Sequence, residues 1–297
     1  MTKPTPTNLS ASIHARLMNR AQAVGRPFND ILQYFAMERF LGRLARSPHK
    51  TKFTLKGGLM MAVWRMPEVR PTLDIDLLGS TGNTHGNIKV IFEEVCRTAP
   101  AEPDGLEFNA DSVTVEDIAD EAEYQGTRVR VSGNLGNARI HLQVDIGFGD
   151  AIVPGAVPGE LPPSIGLTPT VLPAYSPESL IAEKTETMFR RQELNSRMKD
   201  FFDIWLLSRR HSFDGAILGQ ALHETFTRRG TFFQAHPTAL TPAFGAAKDK
   251  QTQWSAFLRK SHLGTVAPAA FPDVVAELSL FLSPLLAELS ENRPFRL

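Results

Sequence analysis

An alternating run, Lys52-Phe53-Thr54-Leu55-Lys56, leads into Gly57-Gly58, an apolar stretch from Leu59 to Trp64, and then Arg70-Pro71-Thr72-Leu73-Asp74-Ile75-Asp76-Leu77. Alternation predicts a strand, the glycine pair a turn, the apolar stretch a helix, and the last run a second strand. Strand, glycine turn, helix, strand is an order that sets backbone N–H groups where a phosphate can approach. Side chains two residues apart on a strand point the same way, so Thr72, Asp74 and Asp76 are expected on one face, with Leu73, Ile75 and Leu77 packed behind it. Two neighbouring carboxylates repel each other. A hard cation between them relieves that cost, and magnesium (Mg2+) is commonly bound by one or two carboxylates together with substrate phosphates.

Further along, Ile140, Leu142, Val144 and Ile146 alternate with Arg139, His141, Gln143 and Asp145. This reads as the second arm of a hairpin whose first arm is Arg128 to Val131, turning through Ser132-Gly133-Asn134-Leu135-Gly136-Asn137. Asp145 lies on its polar face and joins Asp74 and Asp76 if the two strands are neighbours. An Asp-x-Asp pair alone is weak evidence of a metal site, and Gly57-Gly58 alone is an ordinary turn. Their combination makes magnesium-dependent nucleotidyl transfer the first expectation.

The rest of the chain supplies helices. Ile13, Leu17, Ile31, Leu32, Phe35 and Phe40 recur at mostly helical spacing between Ala11 and Ala45, broken near Gly25-Arg26-Pro27, and so predict two helices after a loose arm from Thr2 to Ser10. Gly86 to Arg97 also reads as helix. Ile152 to Tyr175 is rich in proline and glycine and is the candidate boundary, followed by Ser176 as an N-cap and Pro177 at the first helical position. The expected organisation is an α+β core with a mixed sheet and N-terminal helices over 1–170, and a helical C-terminal domain over 171–297 that completes the nucleotide site.

At 297 residues, 42% hydrophobic and 22% charged, the chain has the composition of a soluble globular protein. Its formal net charge is zero, so nucleic-acid binding would rest on local basic patches. The single cysteine, Cys96, excludes an internal disulfide. Without a signal-peptide pattern or a long apolar run, a cytoplasmic protein with no membrane association is expected.

In Ser196-Arg197-Met198-Lys199-Asp200-Phe201-Phe202-Asp203, Lys199 and Asp203 stand four apart on a helix, where a solvated ion pair is the ordinary reading. Lys184 is either an exposed helix lysine or a point charge for a triphosphate. His141 is either a surface group or a neighbour of Asp145, and Trp205 and Trp254 read as core anchors. Arg190-Arg191, Arg209-Arg210 and Arg228-Arg229 concentrate base in the helical half, while Glu116, Asp117, Asp120, Glu121 and Glu123 concentrate acid in the other. That asymmetry could track an RNA backbone.

Taken as an ordered set, Leu55-Lys56-Gly57-Gly58, Arg70 to Leu77, Val144-Asp145, Glu183-Lys184 and Ser196 to Asp203 resemble the AbiEii-type nucleotidyltransferase toxins of bacterial abortive-infection (phage-defence) toxin-antitoxin pairs. Thr225 to Thr231 and Gln253 to Leu258 extend the similarity, which spans roughly Phe35 to Leu258. The resemblance implies a polymerase-β-like nucleotidyltransferase core, Mg2+ with one or two ions, an NTP donor, RNA (tRNA in characterised relatives) as acceptor, and an antitoxin encoded nearby. By position it implies that Lys56, Gly57, Gly58 and Thr72 line the nucleotide site and that Asp74, Asp76 and Asp145 bind metal. Lys184 and Lys199 would meet the triphosphate, with Lys199 counted among the catalytic groups, and Asp200 and Asp203 would organise the fourth motif. Gly58 stands where many relatives carry serine, so a hydroxyl contact to phosphate is missing. Two other readings stand beside this one: the same chemistry with a protein or small-molecule acceptor, and a catalytically silent nucleotide-binding partner protein.

Overall fold

The computed structural model describes residues 8–66, 70–118 and 126–291. Thr2 to Thr7 of the expected arm, and Asp120, Glu121 and Glu123 of the acidic run, lie outside them. The chain divides into two compact units whose segments interleave.

The first unit comprises residues 8–65, the described part of 71–149, and 157–174. Helices α1 (Leu9–Val24) and α2 (Phe28–Arg46) are the two expected from the N-terminal periodicity. Asn8 caps α1 by accepting the Ala11 N–H at 3.0 Å, and Gly25 ends it in the left-handed conformation at φ 63°. Then follow β1 (Phe53–Lys56), α3 (Met60–Val63), β2 (Ile75–Gly79), α4 (His85–Arg97), β3 (Leu106–Asp117), β4 (Thr127–Leu135), β5 (Ala138–Phe148), β6 (Val157–Leu161) and β7 (Thr170–Ala174). The seven strands form one mixed sheet in the order β3-β4-β5-β2-β1-β7-β6. β2 runs parallel to β5 and antiparallel to β1, β1 runs parallel to β7, and the remaining neighbours are antiparallel. Phe40 of α2 meets Phe92 of α4 at 6.0 Å and Phe108 of β3 at 5.2 Å, an aromatic seam between helices and sheet in which Phe40 and Phe92 are buried.

Several expectations change. The hairpin turn shrinks to Gly136-Asn137, because Ser132 to Leu135 continue β4 in register with Ala138 to His141. β3 was not expected, since its half-exposed run lacks a clean alternation. In the proline- and glycine-rich stretch read as a boundary, residues 157–161 and 170–174 form β6 and β7, with β7 beside β1, and the chain passes between the two units at 156/157 and 174/175. Leu73 is 62% exposed rather than packed behind the carboxylates, because β2 begins only at Ile75.

The second unit comprises Met66 and Arg70, residues 150–156 and 175–291. It holds α5 (Pro177–Arg191), α6 (Met198–Arg210), α7 (Gly215–Arg228), α8 (Pro242–Ala246), α9 (Lys248–Ser261) and α10 (Phe271–Ser290). Ser176 caps α5 by accepting the Ser179 N–H at 3.1 Å, with Pro177 in the first turn as expected. Phe201, Phe244, Trp254 and Phe271 form its aromatic core, and Trp254 is fully buried while donating to the Pro268 carbonyl at 2.8 Å. Among the described residues, no helix is long and apolar enough to cross a membrane.

Candidate active site

Parallel pairing of β2 with β5 sets Asp76 directly opposite Asp145, and Asp74 stands one residue before β2. One carboxylate oxygen from each of the three lies within 4.8 Å of the others, all at half-buried positions. Thr72 Oγ1 donates to Asp74 Oδ1 at 2.9 Å. Arg128, opposite Asp145 on β4, forks onto it: Nε donates to Oδ1 and Nη2 to Oδ2, each at 2.8 Å. Gln143 Nε2 adds a longer contact to Asp145 Oδ2 at 3.3 Å.

Glycine at 57 is a requirement of this packing. Its φ is +70°, and a Cβ there would stand 1.8 Å from Asp76 Oδ2, so any side chain would push the carboxylate away. Lys56 is the register partner of Asp76 at the end of β1. Gly57 to Leu59 form a 3₁₀ turn and α3 lasts four residues, so whatever this turn offers a phosphate comes from local N–H groups rather than from a long helix dipole. Three convergent hard oxygen donors beside a turn that leaves room for one of them suit a divalent cation.

The second unit gathers the other predicted residues. Lys184 Nζ lies 2.6 Å from Asp200 Oδ1 and 2.8 Å from Asp203 Oδ2. Arg70 forks onto Asp203 through Nε and Nη2, both at 2.9 Å, and Arg197 Nε reaches Asp200 Oδ2 at 2.7 Å. Both carboxylates are fully buried. Burial alone would raise them, but Lys184 and Arg197 hold Asp200 well below the usual carboxylate range, and Arg70 and Lys184 lower Asp203. Burial would likewise lower Lys184, yet Asp200 and Asp203 outweigh it and hold the ammonium above its ordinary value. The i,i+4 pair between Lys199 and Asp203 is therefore not how α6 uses its acid: Asp203 faces inward to Arg70 and Lys184, and Lys199 is half-buried on the same helix.

Arg229, grouped above with the basic pairs, is an internal cation. It meets Asp150 at 2.9 Å, Glu186 at 2.8 Å and Glu183 at 3.3 Å, three carboxylates that keep it charged against the cost of burial. His141 is exposed on β5, its Nδ1 3.3 Å from Ser132 Oγ. Sequence reasoning missed Arg128, although counting outward from a two-residue turn at Gly136-Asn137 places it opposite Asp145. It also missed the partnership of Arg70 with Asp203, for which no local signal exists.

These motifs coincide with a family model described as "Nucleotidyl transferase AbiEii toxin, Type IV TA system", which matches residues 39–277. Among solved structures, JHP933 from Helicobacter pylori is 14% identical, with 89% of this chain and 94% of that one covered at a TM-score of 0.48. A second H. pylori structure, of a protein provisionally assigned as a nucleotidyltransferase, is 13% identical, with 90% and 99% covered at a TM-score of 0.49. No curated protein matches. Because the family model takes in the glycine turn, the carboxylate triad and the α5–α6 cluster, the chain belongs to the AbiEii family of nucleotidyltransferase toxins of type IV toxin-antitoxin systems.

Proposed function

We propose that this protein is a metal-dependent enzyme that transfers a nucleotide from an NTP to RNA, with the tRNA 3′ end as acceptor, and so inhibits growth or translation until an antitoxin counters it. The observation that carries this reading is the convergence of Asp74, Asp76 and Asp145 against Gly57. Mg2+ is the cation the three oxygen donors would hold. Bound there, it would neutralise charge developing at the phosphoryl oxygens and lower the pKa of the attacking hydroxyl.

The chain's own groups do the rest. Lys56 and the N–H groups of Gly57-Gly58 hold donor phosphate, and Thr72 fixes the orientation of Asp74 through its hydrogen bond. Lys184 and Lys199 take the leaving phosphates by charge-assisted contacts, and Asp200 and Asp203 keep Lys184 charged and in place. An RNA hydroxyl oxygen attacks the α-phosphorus in line, the bond to the bridging oxygen breaks, and pyrophosphate and the hydroxyl proton are released.

Incubation with each α-labelled NTP and total RNA, with Mg2+ or with chelator, tests this. Label in RNA that requires Mg2+ and vanishes in Asp76→Ala is the expected result. Undiminished label in that variant would overturn the site. A protein or small-molecule acceptor is the second reading, favoured by the internal use of Arg229, which removes one basic pair from any RNA surface. Label in protein or small molecules, with none in RNA, would establish it.

A further inference from the structure

We propose that a trough on the Asp145 side of the sheet receives the terminal nucleotide of the acceptor, an inference that rests on the reading of the protein as an RNA nucleotidyltransferase. Strand order supplies the first argument. In β4-β5-β2-β1, the glycine turn follows β1 on one side of the Asp76 strand, and β5 and β4 lie on the other. In-line phosphoryl transfer sets entering and leaving oxygens on opposite sides of phosphorus. With the donor phosphate held at Gly57-Gly58, the attacking hydroxyl enters from the β5 side.

That side is built to hold something. The polar face that carries Asp145 continues along β5 through Gln143 and His141, with Arg130 and Ser132 of β4 as their cross-strand partners. These four residues line a trough of about 680 Å³, within the range of small-molecule sites. Leu73, immediately before Asp74, forms part of its wall and is 62% exposed. Gln33 of α2 ties wall to floor, its Nε2 donating to the Leu73 carbonyl at 3.2 Å and to the His141 carbonyl at 3.1 Å.

The lining names the ligand class. Leu73 offers an apolar surface for the face of a base, while an amide, an imidazole, a hydroxyl and a guanidinium offer hydrogen bonds to base edges and a ribose 2′-hydroxyl. Arg130 is paired with Glu116 at 2.6 Å, and Asp30 also lines the trough, so its charge is balanced. It therefore reads base and ribose of an unstacked 3′-terminal nucleotide rather than backbone phosphate.

The test uses the full chain, total tRNA, and Ser132→Trp, which fills the trough, beside His141→Ala. Thermal melting confirms folding of each variant. Loss of the base contact should raise the KM for RNA about tenfold or more in Ser132→Trp, with the KM for NTP and kcat at saturating RNA unchanged. RNA bearing 4-thiouridine at its 3′ end should cross-link to the peptide that contains His141. If folded variants keep the wild-type KM for RNA, the trough is not the acceptor site. If they lose NTP affinity instead, it holds the donor base, and the assignment is wrong in that way. Wild-type protein that labels no RNA would overturn the RNA acceptor itself, a failure distinct from both.

Discussion

Two clusters of aspartates, one in each unit, differ in the partners that surround them. Around Asp74, Asp76 and Asp145, carboxylates face one another at half-buried positions with oxygens within 4.8 Å. Around Asp200 and Asp203, buried carboxylates face cations, with Arg70, Lys184 and Arg197 all within hydrogen-bonding distance. The second cluster balances its buried carboxylates with cations of the protein itself. The first brings three carboxylates together with Arg128 forked onto one of them, an arrangement suited to an external cation. The contrast teaches that a shared residue type, aspartate, is set among other acids in one place and between buried cations in the other, and that the partners across the contact decide how its charge is balanced.

The sharpest way to break the comparison is to remove one acid from each cluster. Asp74→Ala or Asp76→Ala should reduce nucleotide transfer to background while the urea midpoint stays unchanged or rises slightly, because carboxylate repulsion is relieved. Asp203→Ala should instead cost about 3–5 kcal/mol of stability, since Arg70 and Lys184 are left buried without it. Equal stability of Asp76→Ala and Asp203→Ala in urea titrations would erase the distinction.

The lysines sharpen it. Lys199→Ala should weaken NTP binding by about 1.5–3 kcal/mol in calorimetry, the scale of a lost charged hydrogen bond, with little change in stability. Lys184→Ala should weaken binding and lower the urea midpoint together, because Asp200 and Asp203 lose their shared cation. Unchanged NTP affinity in both variants would end their proposed role at the triphosphate.

Arg128 tests whether the triad also depends on an ion pair. The three oxygens converge while Arg128 is forked onto Asp145, so the expected role of the arginine is to position that carboxylate rather than to compete with a cation. Arg128→Lys and Arg128→Gln should each lower Mn2+ affinity roughly 10–100-fold, measured by electron paramagnetic resonance on nucleotide-free protein. A rise in affinity would show that Arg128 opposes the cation instead.

The smallest effect concerns pH. Asp200 and Asp203 titrate lower when folded than unfolded, so their stabilisation is complete above the unfolded value of about 3.9 and is lost as pH falls through the folded one. Lys184 titrates higher when folded, so its contribution is complete below about 10.4 and is lost as pH rises through the folded value. The stability difference between wild type and Asp203→Asn should therefore be flat from about pH 5 to 9 and shrink on either side. A difference that varies across that window would contradict the ion-pair account.

Much of this was legible because local chemistry is periodic. The alternation from Ile140 to Ile146 places Asp145 on a polar face, and the order of strand, glycine turn and strand brings Lys56, Gly57 and Asp76 into one neighbourhood. Leu73 misled because alternation assumes a strand that has already begun, and β2 starts two residues later. Within the stretch read as a boundary the chain passes between the two units at 156/157 and 174/175, and residues 157–161 still form a strand because β6 lies at the sheet edge, where proline and glycine are tolerated.

By itself the sequence determined the helices at the N-terminus, the strand carrying Asp145 and the glycine turn before Asp76, since these follow from backbone periods of two and of 3.6 residues and from turn chemistry. Only the tertiary structure decided which charges are answered. Asp203 and Arg70 are 133 residues apart, Arg229 and Asp150 are 79 apart, and no local period encodes either meeting. Burial makes those pairings obligatory, because a charge taken out of water must find its opposite, and where that opposite lies is set by packing.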